Sequence, residues 1–224
     1  MKILLILLVT LFFPLLLVVT SIRLVANPWF IHFEYNRSGF PPDAYGFTIE
    51  QRLPLALAGL YSVTPEGAGL ILLEQARLPN GEPAFNAREI QHMQDVRALM
   101  DRVFPATLIG AAVLVSLSII FRKNAKYRDV VALGLRAGSI LTLVLLAGLI
   151  TYVLINFDAF FLSFHQMFFE GDTFMFRFDD TLIRLYPEQL WSDAAILIGV
   201  LTAIFATVML AGSVWWLKKV KRDA

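Results

Sequence analysis

The chain of 224 residues is 58% hydrophobic, carries 19 Lys and Arg against 18 Asp and Glu, and has a mean hydropathy of +0.67. An apolar share above the roughly 45–50% of soluble domains points to a membrane protein, and a net charge near zero removes any bulk electrostatic case for nucleic acid. Cysteine is absent, which excludes disulfides, thiolate metal sites, cysteine lipidation and cysteine nucleophiles.

The first apolar segment, about 3–22, has the roughly 20 residues that a helix needs to cross a bilayer. It is longer than the ~7–15 residues of a signal-peptide core and no small-x-small cleavage site follows it, so it reads as a retained span. Residues 23–102 form a first loop. Within it His32 reads as an interfacial residue, Thr48 as the cap of a helix containing Leu53, Leu55, Leu57 and Leu60, and Leu78–Pro83 ("LPNGEP") as a turn. The stretch "NAREIQHMQDVRALMDRVF" places Ile90, Met93, Val96, Arg97 and Met100 at helical spacing. Asn86 is its candidate N-cap, with Glu89 three residues on in a capping-box relation. This helix runs close to, or into, the second span near Pro105.

The second span covers about 103–121 and the third about 135–157, joined by a short basic loop, 122–134. After the third span, residues 158–193 form a phenylalanine-rich loop, and a fourth span, about 194–217, leads to a basic tail, 218–224. Basic residues fix the orientation. Arg122, Lys123, Lys126 and Arg128 crowd the short loop, while Lys218, Lys219, Lys221 and Arg222 crowd the tail. Both therefore lie in the cytoplasm, as does the N-terminus, and the acid-rich loops 23–102 and 158–193 face outward. Tyr186, Trp191, Trp215 and Trp216 read as interface anchors. The expected fold is an all-α integral membrane protein with four transmembrane helices and a mainly helical extracytoplasmic subdomain built from the two outer loops.

His92 and His165 come from different outer loops, and each lies near a membrane boundary. Folding can bring them to one site, and imidazole is the usual general acid or base near neutral pH. Read singly, each is also an ordinary hydrogen-bonded surface histidine. Glu89, His92 and Asp95, three apart, form one polar stripe on a helix. Either carboxylate can orient the imidazole, as in a triad, or the stripe with His165 can hold a divalent metal. The absence of HExxH and of a second ExxH makes the metal reading the weaker, and a capping role explains Glu89 at no further cost. In the second loop Asp172, Asp179, Asp180, Arg177 and Arg184 supply the polar content. Arg177 or Arg184 can hold an oxyanion or simply pair with an aspartate. Glu89, Asp95, Asp180, Arg97, Arg177 and Arg184 are the candidate supporting residues, and Phe161, Phe164, Phe168 and Phe169 are the candidate lipid contacts, or else an aromatic belt.

"YGFTIEQR" (Tyr45–Arg52), "FNAREIQHMQDVR" (Phe85–Arg97) and "FHQMFF…DDTLIRLYPEQLW" (Phe164–Trp191) resemble, in order and with matching topology, the motifs of the lipoprotein intramolecular transacylase family of small bacterial four-span membrane proteins. The sequence departs from the family pattern at Phe174, where a tryptophan is expected, a change that bears on packing rather than chemistry. The resemblance implies a diacylglyceryl-modified lipoprotein as substrate, in a bilayer of membrane lipids. The sn-2 acyl chain moves to the α-amine of the N-terminal cysteine at the outer face of the cytoplasmic membrane. It further implies that His92 and His165 are the catalytic pair, with no cofactor and no metal. Acid–base catalysis and a transient acyl-imidazole both remain open. A metal-dependent membrane hydrolase and a non-enzymatic assembly or sensor protein are the competing readings.

Overall fold

The computed structural model describes residues 1–121, 123–124, 127–169 and 171–222, with the side chains of residues 157 and 158 excepted. The basic residues Arg122 and Lys126, used above to orient the chain, lie outside the described residues. Among those described, the secondary structure is helical, with a single isolated bridge between Arg77 and Pro83 and no strand. The helices are α1 (Lys2–Val25), α2 (Pro28–Asn36), α3 (Ile49–Val63), α4 (Ile71–Gln75), α5 (Ala87–Phe121), α6 (Val130–Ile155), α7 (Phe157–Phe168), α8 (Thr181–Leu185) and α9 (Glu188–Arg222). Four of them, α1, α5, α6 and α9, are long and apolar enough to cross a membrane. The chain divides into two compact units: Met1–Arg23 with Phe104–Phe157 and Leu197–Ala224, and Leu24–Val103 with Asp158–Ile196.

The first unit holds the spans. Lipid cannot hydrogen-bond to a backbone, so each segment satisfies itself as a helix and turns apolar side chains outward. Leu11, Leu108, Ile120 and Leu154 are accordingly exposed. Inside, Phe13, Leu17 and Ala206 form a buried cluster with Leu16, Leu114, Leu135, Leu143 and Phe205, so all four spans contribute. In lipid, helices associate by close packing rather than by expulsion of water. Gly134 and Gly138 on α6 provide this contact. A Cβ at Gly134 would lie 2.6 Å from the Val9 Cβ, and one at Gly138 would lie 2.7 Å from the Phe13 Cβ. Between α1 and α9 the buried hydroxyls of Ser21 and Thr202 meet at 3.0 Å.

The second unit ties the two outer loops together. Thr48 and Gln51 make a full capping box at the start of α3, extending the single cap legible in the sequence. The turn at Leu78–Pro83 closes through the Leu78 N–H to the Glu82 carbonyl at 2.9 Å, with Gly81 at φ 85. Arg52 is 1% exposed. It donates to the Pro41 carbonyl (2.8 Å) and the Arg184 carbonyl (2.6 Å), and its guanidinium lies over the rings of Tyr35 and Phe40. Tyr35 donates to the Leu185 carbonyl at 2.7 Å and Tyr186 to the Ala56 carbonyl at 2.6 Å. These bonds hold α8, from the second loop, against α2 and α3, from the first.

The expected spans lie within the observed helices, with two differences. The outer helix and the second span are one helix, α5, continuous through Pro105; its first turns, 87–102, carry six charged residues and its apolar part begins at Val103. The third span stops at Ile155, before the expected boundary. Asn156, at φ −156 and ψ 89, breaks the helix, and α7 starts as a separate element that bears His165.

Substituting Gly138→Leu should lower stability by about 1–3 kcal/mol, because the added side chain overlaps Phe13 and α1 has to shift. Thermal unfolding in detergent checks this: an unchanged Tm would mean that the α1–α6 contact is not the close one described.

Candidate active site

Asn86 and Glu89 start α5 as the sequence leads one to expect. The Asn86 N–H donates to Glu89 Oε2 at 2.7 Å, and the Glu89 N–H donates back to Asn86 Oδ1 at 3.0 Å. Glu89 is 1% exposed, and its other oxygen accepts the Leu182 N–H of α8 at 2.6 Å. Burial raises its pKa above the usual carboxylate range, against the pull of the N–H groups that it accepts. Glu89 is thus occupied by backbone.

His92 follows three residues later. Its ring meets Phe169 edge-on at 5.2 Å and Phe176 edge-on at 5.3 Å, and its buried Nδ1 has no hydrogen-bond partner. His165 sits in the last turn of α7. Its ring stacks on Phe174 at 4.9 Å and on Phe161 at 4.0 Å, and lies 6.0 Å from Phe169. Its Nδ1 is 2.8 Å from the Phe161 carbonyl. A carbonyl oxygen only accepts, so Nδ1 carries the hydrogen and Nε2 of the neutral ring keeps its lone pair. Phe169 packs against both imidazoles, so the two long inter-span loops bring their histidines to one aromatic enclosure.

That enclosure sets the electrostatics. Desolvation lowers the His92 pKa to about 4, helped by the charge that His165 can carry and opposed by Asp95. Desolvation also lowers the His165 pKa, against the bond to Phe161. At neutral pH both rings are neutral. The site therefore offers a lone pair at His165 Nε2 and a neutral hydrogen-bonding ring at His92, in surroundings of low polarity that strengthen any charge interaction formed there.

The supporting candidates separate. Asp95 accepts from Gln91 at 3.1 Å and from the Thr173 hydroxyl at 3.2 Å, so it reaches His92 by charge through space rather than by a hydrogen bond. Asp180 accepts from Asn86 at 2.9 Å and from the Arg177 N–H at 2.8 Å, fixing the start of α8. Arg97 donates to the Ser62 carbonyl at 2.9 Å and pairs with Asp101. Arg177 pairs with its neighbour Asp179 at the surface. Arg184 grips Asp43 with two bonds, 3.2 and 2.8 Å, and its guanidinium lies over Phe47. Of the four phenylalanines, Phe161, Phe164 and Phe168 are exposed on α7, while Phe169 is wedged between the histidines. Phe174, the position that departs from the family pattern, is buried against His165.

Sequence reading did not find Arg88, Thr173 or Phe176. Arg88 lies four residues before His92, on the same face of α5, and donates to the Met175 carbonyl at 2.9 Å. That helical spacing was a usable signal; the partners of Thr173 and Phe176 were not, because both lie outside helices. Among the described residues no three His, Asp or Glu side chains gather so as to hold a metal ion, and the oxygens of Glu89 face Asn86 and Leu182.

The neutral state of His92 links stability to pH. A folded pKa below the unfolded value of about 6.5 means that the unfolded chain binds the proton first, so the stabilisation is complete above pH ~6.5 and is lost as the pH falls towards about 4. Thermal unfolding of the wild type and of His92→Phe across that range should show a steeper acid-side loss in the wild type; parallel curves would contradict the buried, neutral assignment.

The model of the family described as lipoprotein intramolecular transacylase Lit matches residues 7–191. An uncharacterized protein of Aquifex aeolicus is 32% identical over 204 residues, covering 91% of this chain and 90% of that protein. A solved structure of the membrane-integral lipoprotein intramolecular transacylase of Bacillus cereus is similar in fold. Its TM-score is 0.76 at 23% identity, over 100% of this chain and 99% of that one. A second structure of the same protein, with one histidine substituted, has a TM-score of 0.74 at 21% identity, over 100% and 95% of the two chains.

Proposed function

The chain belongs to the lipoprotein intramolecular transacylase family, multi-pass membrane acyltransferases, and from that premise we propose that His92 and His165 jointly catalyse the transfer at the outer face of the membrane. The observation that carries this reading is the convergence of two neutral imidazoles, one from each outer loop, on Phe169.

The substrate is a lipoprotein whose N-terminal cysteine bears a diacylglyceryl thioether and a free α-amine. Ester and amine belong to one molecule, so proximity is already supplied. The remaining difficulties are the proton on the amine and the charge on the tetrahedral intermediate. His165 Nε2, with its lone pair free and Nδ1–H held by Phe161, takes the amine proton as nitrogen attacks the sn-2 carbonyl carbon. Desolvation favours the neutral form of His92 at neutral pH, so it acts as an uncharged ring whose N–H donates to the oxyanion, as other enzymes use an uncharged imidazole. The intermediate collapses with formation of the amide C–N bond and cleavage of the sn-2 C–O bond. His165 returns its proton to the glyceryl oxygen. One proton has moved from nitrogen to oxygen, and the product is an N-acyl, S-monoacylglyceryl lipoprotein. The exposed rings of Phe161, Phe164 and Phe168 provide an apolar bed for the acyl chains.

The orientation rests on Lys123, Arg128, Lys218, Lys219, Lys221 and Arg222, which mark the cytoplasmic ends of the spans. With four spans the extracytoplasmic unit then carries the histidines, on the side where lipid-modified lipoproteins are exposed.

Purified protein in detergent, given a synthetic diacylglyceryl lipopeptide with a free N-terminus, should move the chain to the amine without change of total mass. Tandem mass spectrometry locates the chain. His92→Ala and His165→Ala should each slow the shift by roughly 10²–10⁴-fold, with EDTA making no difference. Transfer at near wild-type rate in either variant would remove that histidine from the mechanism. Loss with EDTA would favour the metal-dependent alternative.

A further inference from the structure

We propose that Arg88 and Thr173 are positioning residues that clamp residues 172–176 across His92 and His165, holding Phe174 and Phe176 against the two imidazoles. The inference rests on the two-histidine reading above and adds to it the part of the chain that fixes where the rings stand.

The clamp is visible in three sets of contacts. Arg88, His92 and Asp95 occupy positions i, i+4 and i+7 of α5 and so share one face. Against that face runs a segment with no helix of its own. Asp172 approaches Arg88 at 3.9 Å, the Thr173 hydroxyl donates to Asp95 Oδ2 at 3.2 Å, and the Met175 carbonyl accepts from Arg88 Nη1 at 2.9 Å. Between these polar ties the segment points two rings inward: Phe174 stacks on His165, and Phe176 meets His92 edge-on.

The ends of the segment are fixed differently. At one end Gly171 has φ 73, a left-handed conformation that favours glycine. At the other, Asp180 is held by Asn86 and Leu182 by Glu89. The middle depends on Arg88 and Thr173. Phe174 is its one fully buried side chain, whereas Asp172 and Met175 are exposed. Little apolar burial secures the strap, so polar ties of this kind decide its position while leaving it releasable. Asp95 acquires a second role here: besides its charge near His92, it anchors the strap through Thr173.

The test uses the full-length protein in detergent and the same diacylglyceryl lipopeptide, with Arg88→Met, Arg88→Lys, Thr173→Val and Thr173→Ser. Two readouts are taken: kcat and KM for transfer, and the rate at which diethylpyrocarbonate modifies His92 and His165, followed by peptide mass spectrometry. Arg88→Met and Thr173→Val should lower kcat about tenfold with KM within about threefold, since misplaced rings cost rate more than binding. They should also raise the modification rates about tenfold, as expected when a local closure is weakened. Arg88→Lys and Thr173→Ser should restore most of both. Unchanged modification rates in both variants overturn the proposal whatever the activity. Raised rates with unchanged kcat overturn it too, because the strap then positions nothing that catalysis uses. A loss of kcat matched by a fall in Tm, with no rescue by Lys or Ser, shows a merely structural role and likewise overturns it. Failure of the two-histidine reading looks different: His92→Ala or His165→Ala would stay active, and the modification rates would still report on the strap.

Discussion

The buried carboxylate of Glu89 is the contact on which the second unit turns. One of its oxygens closes the capping box that starts α5, and the other receives the Leu182 N–H in the first turn of α8, so a single side chain fixes the two inter-span loops to each other. Helix starts leave backbone donors unsatisfied, and a carboxylate is the strongest acceptor a side chain can offer them. It also lies at the positive end of the α5 dipole. Burial of such a group is costly unless hydrogen bonds compensate, and here both oxygens have them. His92 is one turn further along α5, and the strap that covers it ends at Asp180 and Thr181. The position of Glu89 is thereby transmitted to both walls of the histidine enclosure.

Arg52 plays a comparable part deeper in the unit. Its guanidinium is buried, bonded to the carbonyls of Pro41 and Arg184, and lies over the rings of Tyr35 and Phe40. A planar, always-charged fork can satisfy several carbonyls at once, which a lysine cannot do in the same plane. Arg184 uses the same property on Asp43 and Phe47. Of the two arginines that a search for oxyanion holders singles out, Arg184 is occupied in assembling the unit, while Arg177 pairs with Asp179 at the surface. Electrostatic work at the histidines is left to the imidazoles, to Asp95 and to the aromatic walls.

Those walls explain why an aromatic-rich loop carries a titratable ring. Phenylalanine excludes water without competing for hydrogen bonds, so a proton placed in the enclosure has few groups to go to besides the two imidazoles and the substrate. Desolvation keeps both rings neutral, the state that a base and an uncharged hydrogen-bond donor require. The same rings, where they face outward on α7, suit acyl chains. One residue type thus serves two requirements, according to whether the ring is packed against an imidazole or exposed.

Much of this was legible in the residues themselves. Spans are legible because lipid demands long apolar helices, and caps because Thr48–Gln51 and Asn86–Glu89 act over three residues of chain. The separate loops bearing His92 and His165 were legible for the same local reason. Three things were decided by the tertiary structure. Asn156 ends α6 short of the boundary read from the apolar segment, because hydropathy does not encode backbone angles. Phe161, Phe164, Phe168 and Phe169 look alike in sequence, yet only Phe169 meets both histidine rings, since a side chain's neighbours depend on what packs against it. Arg88 and Thr173 gain their roles from partners that are 87 and 78 residues away in the chain. Hydropathy and capping are properties of neighbours along the chain; the strap, the shared Phe169 and the lowered pKa values are properties of neighbours in space.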